Sequence, residues 1–291
     1  MVVVENIKIV AKRNNLPFME KYRQNLHTHT QFCDGKNTIE EMVLSAIDLG
    51  LESIGFSAHS PDCLNEYCMK EEEISSYIAE VNRVKEKYKN KIKVYLGLEY
   101  DYYSNCLLEP FEYVFGGVHY VKTNLGMQEC DTRNPEYLRW LIKNCYNNNP
   151  LDFVKFYFGL VKDLPNKVSK LHVIAHLEII LKSNEFFKTF NTDEKEYRDI
   201  VLDCVNSLIE KGLIFEVNTG AIARGIRKEL YPQVWVLKEI AKRGGKILLG
   251  SDCHYKEKLN FYFDEALSIV KDCGFAEIYI LTENGFVPRK I

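Results

Sequence analysis

The sequence of 291 residues has no apolar stretch that approaches the roughly 20 residues of a membrane-spanning helix. It has no pair of cysteines in a CxxC arrangement, no internal repeat, and no linker rich in proline, glycine or serine. The opening segment, MVVVENIKIVAKRNN, is interrupted by charges and lacks the apolar core of a signal peptide. These absences favour one cytoplasmic domain over a membrane protein, a secreted disulfide scaffold or a chain of linked domains.

The overall charge and the cysteines exclude further classes of protein. The formal net charge is only −3, and no basic stripe is present, so nothing predicts a nucleic acid or a membrane surface as partner. The nine cysteines are an odd number and are scattered, which predicts reduced thiols in the cytoplasm. We therefore expect a small-molecule partner, and composition leaves the oligomeric state open.

Short apolar segments alternate with amphipathic ones along the chain. Seven of these segments have strand character: residues 23–27, 53–58, 92–98, 113–118, 171–175, 213–217 and 246–250. The first intervening helix is predicted to begin at Thr38, which forms a capping box with Glu41. Residues 277–281 are expected to form either an eighth strand or a closing segment. This alternation predicts one closed βα barrel over residues 1–291, with a helical insertion at about 120–170 near the barrel mouth.

Most of the histidines and two acids occupy one sequence context, directly after a predicted strand. They are His27, His29, His59, Glu99, His119, His176, Asp252 and His254. In a βα barrel the carboxyl ends of the strands meet at one rim, which holds the active site. In the HTH motif both imidazoles project to the same face of a strand and can reach one ion. Imidazoles and carboxylates gathered at one rim favour a site for several divalent metals.

Structural roles are the alternative for individual members of this set. Glu99 is also compatible with a surface acid at a strand end, and Asp252 with a helix N-cap. The remaining histidine, His172, precedes His176 by four residues in the same predicted strand. It is therefore expected at the far end of that strand in a structural role.

Seven motifs, in their order along the chain, resemble the PHP (polymerase and histidinol phosphatase) superfamily. They are HTHTQFCDG, FSAHSP, GLEYDYY, GGVHYV, AHLE, EVNTG and GSDCHYKEKL, and they extend over about residues 24–288. Within the superfamily they resemble the monofunctional histidinol-phosphate phosphatases. The resemblance implies a single-domain α/β fold, a distorted (β/α)7 TIM-like barrel, that holds three divalent transition metals, either zinc, iron or manganese.

The resemblance also implies a role for each clustered residue. The first ion would be held by His27, His29 and Asp252. Glu99 would bridge this ion to a second one, completed by His119 and His176. The third would be held by His59, His254 and a residue of the loop after His29. Some relatives supply a histidine in that loop, but Gly35 stands at the matching place here, so Asp34 is the expected ligand. Glu99, Asp252 and His254 are the residues expected to act in catalysis.

The implied activity is hydrolysis of L-histidinol phosphate to L-histidinol and phosphate in histidine biosynthesis, by metal-activated hydroxide attack on phosphorus. Lys182, where relatives carry an arginine, and Arg224 are the expected phosphate-binding residues, and Arg227 is close enough to compete. The substrate amine and ring would be met by the 119–170 segment, which contains Asp131, Glu136, Tyr137 and Trp140. Two alternatives remain: a PHP-type phosphoesterase acting on nucleotides or nucleic acid ends, and a metal-binding barrel without catalytic activity.

Overall fold

A computed structural model describes residues 22–61, 67–184 and 187–291 of the chain; residues 1–21 of the predicted domain lie outside this part. The strands in the described residues are β1 (Gln24–Asn25), β2 (Ser53–His59), β3 (Lys93–Asp101), β4 (Tyr113–Gly117), β5 (Tyr120–Thr123), β6 (Gly126–Glu129), β7 (Val173–Ile174), β8 (Ile214–Asn218), β9 (Lys246–Gly250), β10 (Glu277–Thr282) and β11 (Gly285–Lys290). The α-helices are α1 (Ile39–Asp48), α2 (Ile74–Tyr88), α3 (Pro135–Cys145), α4 (Pro150–Lys167), α5 (Lys195–Glu210), α6 (Gly220–Ala223), α7 (Val234–Lys242) and α8 (Phe263–Asp272).

Seven parallel strands form a nearly closed barrel in the order β1-β2-β3-β4-β7-β8-β9. The first and last strands meet just above β1, where Thr28 pairs in parallel with Cys253. The His29 amide donates to the Cys253 carbonyl at 2.8 Å, which joins the two edges. All seven strands predicted from the sequence are present, and the (β/α)7 TIM-like barrel is confirmed.

The segment predicted as a helical insertion, at about 120–170, is not purely helical. It begins with the antiparallel hairpin β5–β6, and α3 and α4 follow. The tip of this hairpin turns at Gly126, which has a φ of +90°. Each strand has only four residues, too few for alternation of apolar and polar side chains to stand out.

The last apolar segment closes the amino-terminal end of the barrel. β10 pairs with β11 in an antiparallel hairpin and is not an eighth barrel strand. The side-chain amide of Gln24 donates to the Leu281 carbonyl at 2.9 Å and accepts from the Leu281 amide at 2.7 Å. Of the two expectations for this segment, the closing one is confirmed.

Helix α1 begins where the sequence predicts. The Glu41 amide donates to the Thr38 hydroxyl at 3.1 Å, and the Thr38 amide donates to the Glu41 carboxylate at 2.9 Å, which completes the capping box. Helices pack their apolar faces on the barrel; α5, for example, buries Tyr197, Val201, Cys204, Val205 and Leu208. None of the helices in the described residues is both long enough and apolar enough to cross a membrane.

The barrel interior below the rim is filled by aromatic side chains. Tyr113 is fully buried, and its hydroxyl donates to the Leu26 carbonyl at 2.6 Å. Gly55 and Gly97 make room for it, since a Cβ at either position would lie 2.3 Å and 2.1 Å from Tyr113 atoms. Phe115 lies above, with its ring centroid 4.8 Å from that of His27. The rim therefore rests on a closely packed floor.

Six cysteines of the described residues are free thiols: Cys33, Cys130, Cys145, Cys204, Cys253 and Cys273. Cys68 is disulfide-bonded, so the expectation of reduced thiols is wrong at this position.

Candidate metal centre

Glu99 lies at the centre of the rim, at the end of β3. One oxygen, Oε2, lies 3.1 Å from Nε2 of His27 and 3.1 Å from Nδ1 of His59. The other, Oε1, lies 2.7 Å from Nε2 of His176. Glu99 is 1% exposed, so it is not a surface acid. The strand register puts Glu99 beside His59, because β2 and β3 pair in parallel there.

His27, His29 and Asp252 form a compact group against one side of Glu99. Oδ1 of Asp252 lies 3.2 Å from Nε2 of His29 and 3.8 Å from Nε2 of His27. Asp252 has a positive φ of +47° and is 7% exposed. A helix does not begin at Asp252, since α8 begins at Phe263, and the N-cap interpretation is wrong. A non-glycine residue held in this conformation carries strain that is common at functional sites.

Asp34 and His254 form the outer group together with His29 and His59. Oδ2 of Asp34 lies 2.9 Å from Nε2 of His254, and its Oδ1 lies 3.8 Å from Nε2 of His59. Gly35 explains how the loop comes so close, because a Cβ there would lie 2.4 Å from the backbone of His29. The loop therefore approaches only with glycine at 35, and Asp34 projects into the cluster.

His119 and His176 form the group on the other side of Glu99. Their Nε2 atoms lie 3.3 Å apart, and Nε2 of His119 lies 3.4 Å from Oε1 of Glu99. Asp101 holds His119 through its Oδ2. This atom lies 3.0 Å from the His119 amide nitrogen and 3.2 Å from Nδ1 of His119. Asp101 was not identified from the sequence, although it lies two residues after Glu99 on the same face of β3.

The donor set and its unpaired atoms fit divalent metals. Within the described residues there are four overlapping groups of His, Asp and Glu, and the ligand atoms of each group lie within 4.8 Å of one another. Among the described residues, His29 Nε2, Asp34 Oδ1 and His176 Nδ1 are buried without a hydrogen-bond partner. Buried polar atoms without partners cost free energy, and a cation would satisfy His29 Nε2 and Asp34 Oδ1. Imidazole nitrogens with carboxylate oxygens suit zinc, iron and manganese.

The electrostatics of the rim keep its carboxylates charged and His29 neutral, whereas nearby acids, acting against burial, raise the pKa of His27 and His119 well above the usual value. Burial acts to raise the pKa of Glu99, but His27 and His59 hold it well below its usual value. The pKa of Asp252 is likewise held well below its usual value, against burial, chiefly by the Arg224 charge. Burial and the neighbouring His254 and His59 lower the pKa of His29 to about 3. Charged carboxylates and a neutral imidazole are the forms that ligate a cation.

A cavity of about 330 Å³ opens above these groups. Glu99, Asp252 and His254 all line it, as do two of the three predicted phosphate-binding residues, Lys182 and Arg224. Nζ of Lys182 lies 2.6 Å from Oδ2 of Asp131, and Arg224 donates to Oδ2 of Asp252 at 2.8 Å.

The third predicted phosphate-binding residue, Arg227, lies apart from this cavity. It lines a neighbouring cavity, where it donates to the Leu181 carbonyl at 3.2 Å. Its guanidinium stacks 4.8 Å from the ring centroid of Tyr231. Arg224 and Arg227 are three residues apart in the sequence, yet only Arg224 lines the cavity above Glu99.

The four residues expected to meet the substrate amine and ring are also separated. Asp131 lines the cavity, whereas Glu136, Tyr137 and Trp140 do not. Tyr137 instead stacks on Trp140, and its hydroxyl bonds to Gln128 at 2.9 Å. The cavity wall includes further polar residues that were not identified from the sequence: Lys36, Tyr67, Glu129, Arg133 and Tyr255. Tyr255 lies within the motif GSDCHYKEKL, but the other four belong to none of the quoted motifs, because the barrel brings them together from separate loops.

The far end of the barrel carries the remaining histidine, as expected. His172 Nδ1 accepts from the Val114 amide at 3.2 Å, and its ring lies beside Phe286 of β11. Neither of these contacts, among the described residues, reaches the rim cluster.

Comparison with known proteins extends these observations. The model of the PHP domain family matches residues 25–220. The histidinol-phosphatase of Bacillus subtilis is 24% identical, over 83% of this chain and 97% of its own length. A crystal structure from Listeria monocytogenes is 18% identical, with a TM-score of 0.73 over 83% of this chain and 99% of that one. The histidinol phosphate phosphatase of Lactococcus lactis, crystallised with zinc, L-histidinol and phosphate, is 20% identical, with a TM-score of 0.66 over 91% of this chain and 99% of that one.

Proposed function

The chain belongs to the PHP domain family, and from this premise we propose that it is a metal-dependent phosphomonoesterase that hydrolyses L-histidinol phosphate to L-histidinol and phosphate. The observation that carries the proposal is the set of overlapping ligand groups around Glu99, which faces a cavity lined by Lys182 and Arg224. The names of relatives that match most of the chain support the choice of substrate. The activity belongs to histidine biosynthesis and, for this chain, to the cytoplasm.

Three divalent ions, of zinc, iron or manganese, would be held by the rim groups. The first would be held by His27, His29 and Asp252, and the third by Asp34, His59 and His254. The second would be held by His119 and His176, whose Nε2 atoms lie 3.3 Å apart. Glu99 would join the first two, since its two oxygens face different histidines. When bound, such ions supply a Lewis acid that neutralises phosphate charge and lowers the pKa of water.

The basic side chains of the cavity bind and orient the phosphate. Arg224 is held in place, since its NH1 donates to the Asp252 carbonyl at 2.8 Å and its NH2 to the carboxylate. Lys182 is held by Asp131 and is only 15% exposed. Because Arg224 is fixed before substrate arrives, little of its side-chain entropy is lost on binding. His27 and His29 have no exposed surface, so the floor of the cavity keeps bulk water out.

The acidic wall of the cavity favours a substrate that carries a cation. Glu129 and Asp131 both line the cavity. Burial and the nearby Asp131 charge raise the pKa of Glu129. Lys182 is the basic partner of Asp131. If Lys182 turns to the phosphate, an ammonium group on the substrate replaces it beside the acids. Histidinol phosphate has that combination of a phosphate and an amine.

Substrate preference and metal content test this proposal together. Protein purified without chelator and reconstituted with zinc, manganese or iron should contain more than one ion per chain by elemental analysis. Its kcat/KM should be far higher for histidinol phosphate than for p-nitrophenyl phosphate or nucleoside monophosphates. An equal or higher value on a nucleotide, or cleavage of single-stranded DNA, would favour the nucleotide-directed alternative. Full metal content without turnover of any ester would favour the non-catalytic barrel.

A further inference from the structure

Glu216 on β8 is a fully buried acid that belongs to none of the ligand groups. Its Oε1 lies 2.7 Å from Nδ1 of His27. Its Oε2 accepts hydrogen bonds from the His176 amide at 2.8 Å and from the Asn218 side chain at 3.0 Å. One carboxylate therefore contacts histidines from two separate loops of the rim.

These contacts determine what the two histidines present to the cluster. With Nδ1 of His27 donating its hydrogen to Glu216, Nε2, which faces Glu99 and Asp252, would be the nitrogen that coordinates an ion. His176 has a positive φ of +26°, and the hydrogen bond from its backbone amide to Glu216 holds this conformation. The Nε2 of His176 then reaches Glu99 at 2.7 Å.

The neighbouring strand leaves space for this carboxylate. Gly250 pairs with Asn218 across β8 and β9, and a Cβ built on Gly250 would lie 1.9 Å from Oε1 of Glu216. That atom is the one that contacts His27. Any side chain at position 250 would therefore move the carboxylate away from the imidazole.

We propose that Glu216 is a positioning residue that fixes the His27 tautomer and the His176 backbone for metal binding, and that Gly250 is its required partner. Groups that orient metal-ligating histidines in this way commonly change metal affinity by about 10–100-fold when they are removed. The inference rests on the metal site of the proposed function but not on its substrate.

The test compares Glu216→Gln with the wild-type holoprotein. Glutamine has only one acceptor oxygen in its side chain. Its NH₂ group must therefore face either His27 Nδ1 or the His176 amide, and that contact is lost. Zinc affinity, measured by competition with a chromophoric chelator, should fall about 10–100-fold. Histidine-selective ¹⁵N NMR of the zinc-loaded protein should show that His27 loses its Nδ1–H tautomer. Gly250→Ala should shift both readouts in the same direction.

A matched control is Glu178→Gln, another glutamate without exposed surface. Glu178 accepts from the Tyr197 hydroxyl at 2.9 Å and the Gln233 amide at 2.7 Å, and contacts none of the clustered histidines. The zinc affinity of the Glu178→Gln variant should equal that of the wild type. If Gly250→Ala does not fold, the Glu216→Gln variant alone tests whether Glu216 is a positioning residue.

Wild-type zinc affinity together with an unchanged His27 tautomer in Glu216→Gln would overturn the inference. Failure of the proposed function gives a different result. A wild-type protein that binds zinc but hydrolyses no phosphomonoester refutes the activity, while the affinity comparison still decides the role of Glu216. If the wild type binds no zinc, both the metal site and this inference are refuted.

Discussion

Glu99 has the largest number of histidine contacts among the acids of the rim. Its carboxylate lies within 3.4 Å of five imidazoles, those of His27, His29, His59, His119 and His176. Glu99→Gln keeps the shape but removes the charge that all five share. We expect kcat to fall by at least about 10²–10³-fold, as for loss of a central electrostatic element. Steady-state kinetics with parallel elemental analysis measures this, and near-normal turnover at full metal content would contradict it.

The basic residues of the cavity allow a prediction with an internal control. Lys182→Ala and Arg224→Ala should raise KM for the phosphate ester, because each removes a charged hydrogen bond worth roughly 1.5–3 kcal/mol, or about 10–150-fold in kcat/KM. Arg227→Ala should leave the kinetics unchanged, since Arg227 lines the other cavity. If Arg227→Ala raises KM and the other two variants do not, the assignment of the phosphate site is wrong.

The sequence predicts some residues of this site and not others for a physical reason. The histidines and acids that follow strands are recognisable, because parallel strands bring their carboxyl ends to one rim. Asp101 and Glu216 act through hydrogen bonds from within strands, and such bonds depend on which neighbours the strand register provides. Arg224 and Arg227 could not be distinguished, because the direction of each depends on the turn after β8.

At the scale of elements, the cap of α1 is tied to the loop that carries Asp34. Asn37 joins this loop to the other side of the rim, since the Lys256 amide donates to its side chain at 3.0 Å. Thr38→Ala removes the hydroxyl that accepts from the Glu41 amide, and should lower the free energy of unfolding by about 1 kcal/mol. Urea denaturation measures this. Thr38→Ser keeps the hydroxyl and should match the wild type, so an equal loss in both variants would show that the cap is not the cause.

Elements with strong periodicity or capping signals were predicted well, and short paired ones were not. The capping box located α1, and the apolar face of α5 located that helix. The hairpins β5–β6 and β10–β11 depend on pairing between segments, which the pattern of a single segment does not reveal. In β11, the sequence GFVPRK contains a proline, which disfavours an interior strand but is tolerated at the edge of a two-stranded sheet.

At the scale of the whole molecule, metal binding should stabilise the fold. The rim joins loops that follow β1, β2, β4, β7 and β9, so a cation held there links segments that are distant in sequence. A ligand that binds only the folded state stabilises it by about 2.7 kcal/mol at 100 times its Kd. Zinc, manganese or iron should therefore raise Tm by several degrees, and a chelator should reverse the rise.

A variant of the outer group makes this prediction specific. Asp34→Ala removes a carboxylate that contacts His254 and His59 but leaves the groups around Glu99 intact. It should bind one ion fewer per chain and show a smaller metal-dependent rise in Tm, because the remaining groups still link their loops. Differential scanning calorimetry with elemental analysis measures both quantities. A rise equal to that of the wild type, with an unchanged metal count, would show that Asp34 holds no ion, whereas no rise in either protein would show that the rim does not couple metal binding to folding.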